Sequence, residues 1–171
     1  MAITRYAFNF ISSLGLEVDD VMKNVKDSFC QGNSMMMFVT MFVAKINLDT
    51  YEMEYCNAGH NPIVVIDSDG VARYLHSKPN LAIGLFSDFP FEKESLKLSK
   101  GTRLILYPDG VTEAEAVDKN QYGEDRLLEF ANGIAKTDNS ETVINNLFSS
   151  VKAFTGDNDQ NDDITALTVK L

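Results

Sequence analysis

Two groups of carboxylates stand where a protein could hold a cation. Asp109 ends the apolar run Leu104-Ile105-Leu106-Tyr107 and is set in Pro108-Asp109-Gly110. Asp157, Asp159, Asp162 and Asp163 crowd the stretch before Ile164-Thr165-Ala166-Leu167. Taken singly, each has a plain reading: Pro-Asp-Gly is common turn chemistry, and an acidic loop is ordinarily solvated surface. Together they say more, because each group sits at one end of an expected strand. Antiparallel neighbours would bring those ends together. Clustered carboxylates repel unless a cation neutralises them, and hard oxygen ligands suit magnesium or manganese. A calcium loop is excluded: in Asp157-x-Asp159-x-Asn161 the next position is Asp162 where Gly is needed, and the twelfth is Thr168 where Glu is needed.

Other chemistry is poorly represented. His60 reads as a turn residue, and His76 carries no signal. No Walker loop, Gly-x-Gly-x-x-Gly or Gly-x-Ser-x-Gly elbow occurs. Cys30 and Cys56 lie far apart and form no metal or disulfide pattern, so they read as core thiols of a reducing cytoplasm. Met35, Met36 and Met37 read as core filling.

The elements that would position the aspartates follow from periodicity. Ile3, Tyr6, Ala7, Phe10, Ile11 and Leu14 recur at helical spacing, and Val18, Val21, Met22, Val25 and Phe29 predict a second helix ending near Gln31-Gly32-Asn33. Period two then takes over. Met37 to Leu48 and Tyr51 to Tyr55 predict a hairpin around Asp49-Thr50, and Asn57 to Pro62 breaks it. Ile63 to Ile66 and Val71 to Leu75 pair around Ser68-Asp69-Gly70. After a Gly- and Pro-containing loop over about 77–90, Phe91 to Leu98 and Thr102 to Tyr107 flank Lys100-Gly101. Two helices follow: one from about Glu124 to Ala135 with Leu127, Leu128 and Ala131 inward, and one from an N-cap at Ser140 with Ile144, Leu147, Phe148 and Val151 inward. Asp162 to Leu171 closes the chain as a strand. The order predicts an α+β fold in a single domain, residues 1–171.

Composition narrows the partners. A formal net charge of -10 opposes binding to nucleic acid or an anionic membrane. No apolar run reaches the roughly 20 residues of a bilayer span, and a cytoplasmic location is expected.

Four segments in order now carry a resemblance: Tyr55-x-Asn57-Ala58-Gly59-His60-x-Pro62, Leu104-x-Leu106-Tyr107-x-Asp109-Gly110-Val111-Thr112-Glu113-Ala114, Tyr122-Gly123-Glu124-x-Arg126-Leu127 and Asp162-Asp163-Ile164-Thr165. The chain resembles bacterial PPM-type (protein phosphatase 2C-like) serine/threonine phosphatases of the stage II sporulation E and sigma-factor regulator subgroup. The resemblance implies an αββα layered sandwich of two mostly antiparallel sheets flanked by helices. It implies hydrolysis of phosphoserine or phosphothreonine on a regulatory protein, typically an anti-sigma antagonist, by water activated between two Mn²⁺ or Mg²⁺ ions. On that reading Asp109 and Asp162 are the catalytic metal ligands, with Asp163 beside them as a third candidate. The family's Gly-Asp-(aromatic)-(aromatic)-Asp and Asp-x-(Ser/Thr)-Gly-x-Gly segments have no match here, so the domain is expected to be truncated at its N-terminal side. Pro108 replaces the usual Thr, and Thr102 a common Asp. The competing expectation is a non-catalytic relative that binds a phosphoprotein or oligomerises; open sheet edges would favour a homodimer.

Overall fold

The computed structural model describes residues 8, 11, 13, 15–31, 37–78, 80–156, 158 and 163–171. Two compact units emerge, one from residues 1–60 with 77–97, the other from residues 61–76 with 98–171. Each contains one antiparallel sheet and at least one helix packed on it, so the α+β expectation holds.

In the first unit, helix α1 (Val18–Gln31) lies against a three-stranded sheet of β1 (Met41–Ile46), β2 (Glu52–Ala58) and β5 (Glu94–Lys97), in the order β1-β2-β5. The expected stripe is the one buried: Val18, Val21, Met22 and Val25 form a cluster with Val43, Cys56, Ala58 and Ile83. Asp19 and Asp20 in the first turn complement the helix dipole. Most of the expected helix from Ile3 to Leu14 lies outside the described residues; Ile11 is buried in the same cluster. The hairpin turns where the sequence placed it. Asn47 Oδ1 accepts from the backbone N–H of Asp49 and Thr50, at 2.9 and 3.0 Å. Lys93 ties the unit together, donating to Glu17 at 2.6 Å and Glu54 at 2.8 Å. With Lys45 also near, Glu17 is held down to about 2, chiefly by the Lys93 hydrogen bond. These groups are well solvated, so the pairs orient the surface more than they stabilise it.

In the second unit, β3 (Ile63–Ile66), β4 (Ala72–Leu75), β6 (Arg103–Leu106) and β7 (Leu167–Lys170) form a sheet in the order β4-β3-β6-β7. Every residue of β3 is buried. After β6 come a single helical turn α2 (Asp109–Thr112), α3 (Gly123–Asn132) and α4 (Ser140–Thr155). Leu127, Ala131, Val143, Leu147 and Val151 join Val64, Ile66, Ile105 and Tyr107 in one core.

Five expectations need correction. The closing strand, expected from Asp162 to Leu171, runs from Leu167 to Lys170, with 163–166 irregular. The segments around Lys100-Gly101 are strands as expected, but they part: β5 adds to β2, whereas β6 lies between β3 and β7. A turn signal reads the same whether the flanking strands pair or part, since sheet membership is decided by distant partners. The α4 cap is Asn139, whose Oδ1 accepts from Thr142 N–H at 2.8 Å, one residue before the expected Ser140. The buried α4 face is Val143-Leu147-Val151; Phe148 is 36% exposed. Met37, read as core with Met35 and Met36, is 54% exposed, while Val39 bridges Ile83; Met35 and Met36 lie outside the described residues. Among the described residues no helix is long and apolar enough to cross a membrane.

Cys56, 1% exposed, has its thiol pushed up to about 12 by burial first and by the nearby Asp19 and Glu94 charges second. At pH 8 it is therefore protonated and sheltered, while Cys30 is half-buried. Iodoacetamide at pH 8 is expected to label Cys30 in the native protein and Cys56 only after denaturation, read by mass spectrometry. Leu147→Ala should destabilise by about 2–5 kcal/mol, and Phe148→Ala by less than about 1 kcal/mol, in urea unfolding. The reverse ranking would restore the helix face expected from the sequence.

Candidate active site

The ladder between β6 and β7 decides where the acidic groups meet. Arg103 faces Lys170, Leu104 faces Val169, Ile105 faces Thr168 and Leu106 faces Leu167. The chain leaving β6 at Leu106 and the chain entering β7 at Leu167 therefore share one end of the sheet. Asp109 lies three positions beyond Leu106, and Asp163 four before Leu167. Asp162, Asp157 and Asp159 lie outside the described residues. Asp163 is described and exposed, in irregular chain ahead of β7.

Asp109 opens a helical turn, which the sequence read as a simple turn. Pro108 stands before it in extended conformation, with φ -81 and ψ 169. Its fixed φ suits the approach to a helix, and it lacks the N–H that such a start would leave unpaired. Glu113 N–H returns to Asp109 O at 2.8 Å, closing the turn. Tyr107 and Val111 are buried on either side while Asp109 itself is exposed. The carboxylate is thus carried on a turn held down at both ends by core side chains. Its Oδ1 accepts from Gly110 N–H at 3.1 Å. No ion pair among the described residues engages it. Such an oxygen-only donor suits a hard divalent cation. Among the described residues no group of three or more His, Cys, Asp or Glu is gathered for a metal.

The remaining sequence candidates separate. His60 is a turn residue: its N–H donates to Asn57 Oδ1 at 2.8 Å. His76, exposed just past β4, rests its ring on Tyr74 with centroids 6.2 Å apart. Burial pushes the Tyr74 hydroxyl up to about 12 and the Tyr107 hydroxyl higher still, so both stay protonated at neutral pH. Asn57, quoted within a motif but given no role, proves to be a lock. Its Nδ2 donates to His60 O at 2.9 Å and Ser77 Oγ at 3.0 Å, and it is 6% exposed. Asn158 was missed altogether. Its Nδ2 donates to Glu115 O at 2.9 Å and Ala116 O at 3.4 Å. A side-chain amide that bonds distant backbone leaves no periodic trace in a sequence.

Comparison with known proteins agrees with this fold. The family model described as stage II sporulation protein E (SpoIIE) matches residues 1–171. Protein IcfG of Synechocystis sp. is 35% identical over 137 residues, 79% of this chain and 21% of its own length. Phosphoserine phosphatase RsbU of Bacillus subtilis is 30% identical over 113 residues, 66% of this chain and 34% of its own. The chain thus spans only a fifth to a third of these curated relatives. The SiaA-PP2C domain of Pseudomonas aeruginosa superposes with TM-score 0.85 at 16% identity, covering 99% of this chain and 68% of that one. The phosphatase domain of the cell fate determinant SpoIIE from Bacillus subtilis, presoaked with Mn, gives TM-score 0.66 at 18% identity, covering 98% and 73%. At those identities the likeness establishes the fold, that of a PP2C phosphatase domain.

Gly59 shows why the Asn-Ala-Gly-His turn tolerates little change. Its φ is +69, and an added Cβ would stand 2.9 Å from the backbone N of Ala82. Gly59→Ala should therefore destabilise by about 2–3 kcal/mol, read as a lowered urea midpoint. A midpoint equal to the parent protein's would mean that the loops rearrange freely.

Proposed function

This chain belongs to the stage II sporulation protein E family, and from that membership we propose that residues 1–171 form a phosphatase domain. The proposed reaction is metal-dependent hydrolysis of phosphoserine or phosphothreonine on a regulatory protein, of the anti-sigma antagonist type. The observation that supports the reading is the β6–β7 ladder, in which the chain leaving β6 toward Asp109 and the chain entering β7 from Asp163 lie at one end of a sheet. Two curated relatives of the family support it by name: RsbU and RsbP of Bacillus subtilis are phosphoserine phosphatases.

Asp109, Asp162 and Asp163 would hold Mn²⁺ or Mg²⁺. When bound, such ions lower the pKa of a water to the range of a neutral-pH nucleophile and screen the charge of the phosphate. The protein's own contribution is placement. The ladder brings the end of β6 and the start of β7 to one end of the sheet. Buried Tyr107 and Val111 then keep the Asp109 turn from swinging, and its exposure leaves room for solvent and a bulky phosphoprotein. The chain's net charge of -10 is also poor at attracting a phosphorylated partner without such ions.

The test is manganese-dependent release of phosphate from a phosphoserine peptide by the full-length protein. Asp109→Asn should lower the rate by about 100-fold or more, since even residues that only support a metal's ligands cost 10–100-fold. Because the side chain is exposed, Tm should move little. An undiminished rate in Asp109→Asn would remove the proposal. Capture of a phosphorylated partner without turnover would instead establish a non-catalytic module.

A further inference from the structure

The second unit holds a concavity of about 390 Å³ between α3 and α4. Its walls are Arg126, Glu129 and Phe130 of α3, Ser150 and Phe154 of α4, and Asp138 of the loop that joins the two helices. That volume lies within the range of small-ligand sites. The cavity is preformed, because both helices are fixed to the core on their other faces by Leu127, Ala131, Val143, Leu147 and Val151. Its floor is tied across: Tyr122, 2% exposed, shares a hydrogen bond of 2.8 Å between its hydroxyl and Ser150 Oγ. The loop is held too, with Ala135 N–H donating to Asp138 Oδ2 at 3.1 Å and Arg103 Nη2 donating to Asp138 O. Charge in the cavity is unevenly committed. Arg126 lays its guanidinium 4.5 Å from the centroid of the Phe154 ring, and its Nη1 donates to Gln121 O at 3.2 Å and Tyr122 O at 3.0 Å. Glu129 and Asp138 have no such partner: among the described residues no ion pair engages either carboxylate.

We propose that this concavity binds an organic cation with an apolar body: an ammonium or guanidinium group received by Glu129 and Asp138, its carbon skeleton laid against Phe130. The proposal is independent of the phosphatase reading and uses none of its residues. The ligand's sign follows from the walls. Arg126 is the one cation among the lining residues, and its charge is already shared with an aromatic face and two carbonyls. The two carboxylates are left to attract, and a carboxylate beside an aromatic ring is the chemistry that recognises an alkylammonium or guanidinium. The apolar part of the ligand is set by Phe130, half-buried against the core, and by the half-buried Ile134 beside it. The chain's net charge of -10 raises the local concentration of any cation that approaches. A free arylalkylamine and a lysine or arginine side chain next to an apolar residue of a partner present the same groups.

The experiment is isothermal titration calorimetry of the full-length protein with 2-phenylethylamine, and with 3-phenylpropanoate as the probe of opposite charge. The amine should bind with a Kd on the order of 1 mM, as so small a ligand allows, and the carboxylate should give no saturable heat. Glu129→Gln should weaken the amine about three- to tenfold, and Glu129→Lys should abolish its binding. Asp138→Asn, which keeps an acceptor for Ala135 N–H, should weaken it by a similar factor. Because Glu129 is exposed, Tm should stay near the parent value in its variants. The capped dipeptide acetyl-Phe-Lys-amide separates the two sources. Tighter binding of the dipeptide than of the amine would assign the cation to a partner protein, and binding of the amine alone would assign it to a free amine; either result upholds the site. Equal binding of amine and carboxylate, no binding of amine or dipeptide, or an affinity unchanged in both Glu129 variants would overturn the proposal.

Discussion

The pairing of β6 with β7 is the constraint on which the candidate site depends. It is secured at the end away from the carboxylates. Gly101 N–H donates to Leu171 O at 2.7 Å, and Leu171 N–H donates to Thr102 O at 3.0 Å. Beside them Arg103, only 3% exposed, donates through Nη2 to Asp138 O at 2.5 Å and through Nη1 to Thr168 Oγ1 at 3.5 Å. Thr168 Oγ1 in turn donates to Leu104 O at 3.0 Å. A buried guanidinium is tolerated only where its donors find acceptors; burial lowers its pKa, yet Arg103 remains charged. Slipping β7 by one residue would break these bonds and turn Thr168 to the other face of the sheet. Register at the far end therefore fixes which residues emerge at the near end.

What emerges there is held differently on the two sides. Asp109 rides on a turn whose neighbours Tyr107 and Val111 belong to the main core of the second unit. Its position is as stiff as that core. Asp163 leaves β7 through Ile164 and Ala166, which are only partly buried against the same core. Leu167, the first residue of the strand, is 57% exposed. Hydrophobic packing alone thus holds the Asp163 side less firmly, and hydrogen bonds must supply the rest.

Much of this was legible in the sequence, for identifiable reasons. The α1 stripe is narrow and bounded by charged residues, so its buried face was unambiguous. In α4 the apolar positions Val143, Ile144, Leu147, Phe148 and Val151 form a stripe too wide to choose from. The core settles it, burying Val143, Leu147 and Val151 and leaving Ile144 and Phe148 to the flank. Asp109 and the Asp162-Asp163 pair stood out because apolar runs end abruptly in acid. That β6 and β7 are neighbours was inferred, and the ladder bears it out. The parting of β5 and β6 into different sheets was not legible, because no local signal at Ser99 to Thr102 distinguishes a hairpin from a crossover. The two asparagine locks were hidden for a related reason: their partners lie up to 43 positions away.

Exposed chain that burial cannot hold is held in several places by asparagine side chains. Ionised carboxylates are costly in an apolar interior, and Asp109 and Asp163 both lie exposed, outside regular strands. Directional bonds to backbone are then the remaining way to hold such loops. A primary amide suits this well, because one side chain can donate and accept at once. Asn57 closes the turn from Asn57 to His60 in this way. Asn132 joins α3 to β4, donating to Leu128 O and accepting from Ala72 N–H at 2.9 Å each. Asn158, just past α4, donates to the carbonyls of Glu115 and Ala116. Irregular chain is thus fixed by neutral amides on backbone where the hydrophobic core does not reach.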